Sequence, residues 1–145
     1  VTGIKSDIFD KLTIQLQTLT WAKQVNWQRI RLAISDLGDH EIPLIQFYCI
    51  RTDYTHEQQR ILASSQIGIE VVLKQTQAGL INQKTLFDYM EEVEQCVGAK
   101  PNLGVPTMLH MKYLSDETDL HMIEPYYYGL LVFEALYYKR YNNLC

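Results

Sequence analysis

Four histidines and three cysteines are the side chains in this sequence best suited to metal or nucleophilic chemistry. His40, His56, His110 and His121 show no pair at the i, i+4 spacing that sets two imidazoles on one helix face. Asp39-His40-Glu41 and His56-Glu57 mix ligand types, but their neighbours read as caps and turns, so no structural metal is expected. Cys49 sits in an apolar run, Cys96 lies near a helix end, and Cys145 is the last residue. A reactive thiolate needs an electropositive site and a base, and none of the three has one in sequence. They are also too few and too widely spaced for a disulfide framework or a zinc site. There is no glycine-rich phosphate loop and no G-x-S-x-G turn. No cofactor is expected.

Charge offers a different chemistry. The formal net charge is −4, and it is unevenly placed. Residues 1–80 carry eight basic and eight acidic side chains, whereas residues 81–138 carry three basic and nine acidic. Asp88, Glu91, Glu92 and Glu94, with Asp116, Glu117, Asp119 and Glu124, could form an acidic docking surface. Complementary charge acts mainly on the rate of encounter, so the fitting partner is a basic protein. Ten tyrosines offer apolar area with a polar handle, and Tyr113 and Tyr126 lie next to the acidic turn, where they would contact that partner.

Periodicity indicates the elements that must hold these residues. No glycine or proline occurs between Gly3 and Gly38. Ile8, Leu12, Leu16, Leu19, Trp27, Ile30, Ile34 and Leu37 recur at helical steps over that stretch, after a cap at Ser6 or Asp7. Strand is the competing reading for residues 12–34, because Leu12, Ile14 and Leu16 alternate with polar residues. Pro43–Arg51 is apolar nearly all round, and its type stays open. Thr55 and Gln58 suggest a capping box before a helix that ends at Gly79. Asn82 caps a helix with Leu86, Met90, Val93 and Val97 on one face, closed by Gly98. A short helix over 107–114 and a last one from Pro125 to Tyr141 complete the set. In that last helix Gly129 would permit close packing, and Glu134 would need a buried partner such as Arg51 or Arg60. The expectation is all-α: one helical domain over residues 1–145, a bundle of five or six helices.

Two stretches carry resemblances. Arg51-Thr52-Asp53-Tyr54-Thr55-His56 resembles the R-x4-H signature of the HEPN family, small all-α proteins that often cleave RNA as dimers. The resemblance implies that His56 is the general base toward a ribose 2′-hydroxyl and that Arg51 stabilises the developing phosphate charge. The plainer alternative is that both flank a helix start. Tyr128-Gly129-Leu130-Leu131-Val132-Phe133-Glu134-Ala135 is similar to a G-Y-W-A-F-E-A stretch in helical bacterial immunity proteins, through Gly129, Phe133, Glu134 and Ala135. Those proteins neutralise nuclease toxins, and the resemblance implies a compact acidic inhibitor covering a basic active site.

Composition bounds the rest. A chain of 145 residues with 47% apolar and 21% charged residues can form one core. Its acidity argues against a nucleic-acid binder, and no run reaches the length of a membrane helix. No signal-peptide pattern opens the chain, and a cytoplasmic protein with reduced thiols is expected. The sequence is therefore read as a non-enzymatic protein-binding module, an immunity-type inhibitor in its most specific form. The alternatives are a HEPN-like ribonuclease using Arg51 and His56, or a small helical subunit of a larger assembly.

Overall fold

The computed structural model describes residues 3–27, 42–74, 83–100, 102–119 and 126–139. Its elements in chain order are α1 (Ile4–Leu16), β1 (Gln24–Asn26), β2 (Leu44–His56), β3 (Ile61–Lys74), α2 (Gln83–Gly98), β4 (Met108–Asp119) and β5 (Tyr126–Lys139). The strands form one sheet in the order β1-β2-β3-β5-β4. Only β1 and β2 run parallel; the other neighbours are antiparallel. The all-α bundle of five or six helices is thus overturned: two helices and five strands are present among the described residues.

Both helices cover the same face of the sheet. Ile4, Ile8, Phe9, Leu12 and Leu16 of α1 join Leu86, Met90, Val93 and Val97 of α2 in one core. Opposite them lie Ile45 and Phe47 of β2, Ile67, Ile69 and Val71 of β3, and Leu131, Phe133 and Tyr137 of β5. Phe9 meets both Trp27 and Phe47 edge-on, at 5.1 and 5.6 Å between ring centres. Trp21, in the segment after α1, stacks on Tyr89 of α2 at 4.1 Å. Gln15 and Cys96 clasp the two helices, each side chain donating to the other's carbonyl at 3.1 Å.

The corrections share a physical cause. A step of four residues keeps one face in a helix and also in a strand, because four is even. Ile61, Ser65 and Ile69 have that spacing, and they are buried along β3 rather than along the helix expected after Thr55. Thr55 is part of β2 and Gln58 lies in the β2–β3 connection, so they do not cap a helix. Steps of three discriminate, and the Met90-to-Val93 step belongs to a true helix, α2. The apolar run expected as a central helix from Pro125 is β5, whose inward residues alternate with half-buried ones. A central strand that is apolar on both faces loses its alternation in sequence. The expected short helix over 107–114 is the first part of β4.

The long first helix also shortens. Helix α1 ends at Leu16, and the chain is extended again at Gln24–Asn26. Ile14, the residue that makes a strand plausible, is 61% exposed while Leu12 and Leu16 are fully buried, as a helix requires. The part of the expected helix over 28–37 lies outside the described residues. The open type of Pro43–Arg51 resolves as strand.

On the other face, Glu70 of β3 is fully buried. Gln46 donates to its carboxylate at 2.6 Å and the Tyr128 hydroxyl donates to its second oxygen at 2.8 Å. The sequence points instead to Glu134 as the carboxylate needing a partner. Glu134 is half-buried, with His110 Nε2 3.6 Å away, while Arg51 pairs with Asp53 and Arg60 with Glu57.

Candidate protein-docking site

The site is built by a bulge in β4. Tyr113 pairs in register with Phe133, but Ser115 pairs with Val132, so Leu114 is an extra residue. In a regular strand, residues three apart point to opposite faces. The bulge cancels one alternation, and Tyr113 and Asp116 both face α2. The Tyr113 hydroxyl donates a hydrogen bond to the Asp116 carboxylate. Tyr113 also packs edge-on against Phe133, 5.3 Å between ring centres. Burial, the Asp116 hydrogen bond, and the negative charge of Asp116 and Glu94 together push the Tyr113 phenol well above its ordinary range.

Helix α2 supplies the facing wall. The pocket, about 350 Å³, is lined by Phe87, Met90, Glu91 and Glu94 from α2, with Tyr113, Asp116 and Leu131 from the sheet. Gly129 of β5 sets the depth of this corner. A Cβ at that position would come within 2.4 Å of Met90 Sδ, so the missing side chain lets α2 sit close to the sheet. Phe87 is 47% exposed at the rim. An apolar floor under three carboxylates, with no basic residue among the described lining residues, suits a cation carried on an apolar stem. Lysine and arginine side chains have that form.

The expected contact residues divide. Glu91, Glu94, Tyr113 and Asp116 come together at the pocket. Asp88 lies on the same helix but faces Lys84 at 3.4 Å, and Glu92 is exposed without lining the pocket. Glu117 is one residue beyond Asp116 and so belongs to the opposite sheet face. Asp119 ends β4, and Glu124 lies outside the described residues. Tyr126 is the first residue of β5 and by alternation lies on the sheet face opposite Leu131, with Lys74 Nζ 5.8 Å from its ring centre. Phe87, Met90 and Leu131 are site residues that sequence reasoning misses. Phe87 carries a signal, being a large apolar residue on the charged side of an amphipathic helix.

Arg51 and His56 do not form a pair. They are five residues apart on β2 with no bulge between them, which puts them on opposite faces. Arg51 holds Asp53 at 2.7 Å. The stretch from Tyr128 to Ala135 is part of β5, not of a helix. Among the described residues, no group of three or more His, Cys, Asp or Glu could hold a metal ion, and no helix is long and apolar enough to cross a membrane.

No family model and no curated protein matches the chain. Among solved structures, it is similar to a chain in the virion of a native gene transfer agent (GTA) particle. The TM-score is 0.66 at 13% identity, over 90% of this chain and 93% of that one. What the two chains share is a fold.

Proposed function

We propose that this chain is a non-enzymatic protein-binding module that works as a subunit of a larger protein assembly, docking a basic partner at the corner between α2 and β4. The observation that supports it is the pocket itself: Glu91, Glu94 and Asp116 surround an apolar floor with no cation among the described lining residues. Such a site is incomplete by charge, and a lysine or arginine from a partner completes it. The role as a subunit draws on the fold shared with a component of an assembled virion particle. The same surface would serve an immunity-type inhibitor if the basic partner were a nuclease.

The test combines capture with proximity. Wild-type protein and a Glu91→Lys/Glu94→Lys variant are used as baits, each also carrying Phe87→Cys with a photoreactive label. The expected result is a basic protein cross-linked at position 87 by the wild type and lost with charge reversal. Equal capture by both baits would sink the docking site. Addition of the wild-type protein to the captured partner then separates the two roles, since only an inhibitor abolishes a nuclease activity.

A further inference from the structure

We infer that the basic partner enters as an extended segment, adding a strand to the outer edge of β4 over Ser115–Asp119 and placing a lysine or arginine in the pocket. The inference rests on the docking reading above and specifies its geometry. Strand β4 is the last in the sheet order, so its outer backbone N–H and C=O groups have no neighbouring strand among the described residues. Such an edge is a template for another chain. The bulge at Leu114 interrupts pairing upstream, and the five residues after it run regularly to the end of the strand.

Charge selects what the edge accepts. Along this run Asp116 faces α2 and the pocket, while Glu117 lies on the opposite face, both exposed. An incoming strand sets its own side chains directly beside these, and opposite charges across strands stabilise the pair. Adjacent basic residues therefore match: one reaches toward Asp116, Glu94 and Glu91, and the next pairs with Glu117. Leu114, 40% exposed at the bulge, gives an apolar contact at the start of the run. An acidic or proline-rich segment is rejected, the first by repulsion and the second because it lacks the N–H groups the ladder needs.

The full chain is tested against an end-capped synthetic peptide of about seven residues, threonine and valine around two adjacent arginines, a length typical of strands. Two further peptides carry N-methyl groups on one or the other alternate set of amides, which removes the ladder without changing charge. Binding is read by fluorescence anisotropy, and amide exchange is followed along β4. The expected result is binding that weakens at least about tenfold with Asp116→Asn and with one N-methylated set, together with slowed exchange at 115–118. If Asp116→Asn weakens binding but neither methylated set does, the pocket reading stands and strand addition is overturned. If Asp116→Asn has no effect, or no peptide binds, both readings fall.

Discussion

Beyond Gln46, where its pairing with β1 ends, β2 borders the sheet among the described residues, as β4 does on the other side. The two borders are solved in different ways, although each carries an exposed aliphatic residue at a bulge. On β2 the extra residue is Ile50, 45% exposed, between Cys49 and Arg51 in the register. It brings Cys49 and Thr52 to the same face, where Cys49 Sγ lies 3.4 Å from Thr52 Oγ1. From there a hydroxyl chain runs inward, Thr52 to Ser65 at 2.8 Å and Ser65 to Tyr137 at 2.9 Å. The charges nearby are matched, Arg51 with Asp53 and Arg60 with Glu57. On β4 the Leu114 bulge brings Tyr113 and Asp116 together, and the carboxylates around them meet no cation among the described lining residues. One edge is satisfied within the chain, and the other calls for an outside charge. That difference singles out the β4 side for docking.

The largest effects should come from disturbing what seats α2 against β5. Leu86→Ala removes a fully buried side chain from the α2 face and should cost about 2–5 kcal/mol in chemical denaturation. Gly129→Val acts at the same corner from the sheet side. It drives Met90 from its place and should cost about 1–3 kcal/mol while weakening partner capture, since Met90 forms part of the pocket. On the β2 side, Tyr137→Phe removes one of the two hydroxyls that Ser65 bonds and leaves it Thr52 as partner. A loss of about 0.5–1.5 kcal/mol with unchanged capture is expected.

Titration sharpens the comparison further. In the folded state Tyr113 has a phenol pKa raised above its ordinary value of 10.0, so its protonated form is favoured by folding. Its contribution to stability is complete below that value and is lost as the pH climbs above it. Asp116→Asn removes the negative charge beside the Tyr113 phenol and the carboxylate that accepts its hydrogen bond. Ultraviolet titration should show a tyrosine ionising at lower pH in that variant than in the wild type. No change would mean that Asp116 does not act on the Tyr113 phenol. The smallest effect is expected on the matched β2 edge. Arg51→Ala should change stability by no more than about 0.5 kcal/mol, as the ion pair with Asp53 is exposed on both sides.

Much of the α2 corner is legible in the amino-acid pattern. The Leu86, Met90, Val93, Val97 face includes a step of three, which a strand cannot keep on one side, and charges fill the rest of the helix. The excess of acid over base between residues 81 and 138 needs only counting. The other elements mislead for one reason: Ile61, Ser65 and Ile69 fit a helix and a strand equally. Tyr126–Lys139 has no polar face to betray its alternation, because β5 lies between β3 and β4 with apolar residues on both sides.

Residue order alone establishes an acidic half, an amphipathic second helix, and the absence of a recognisable nucleophile or metal spacing. Which acids act together is a matter of tertiary structure. Tyr113 and Asp116 share a face only through one unpaired residue in the β4 register, and Arg51 and His56 are kept apart because no such residue lies between them. Strand register is set by neighbours distant in sequence, so no local spacing could have revealed either result.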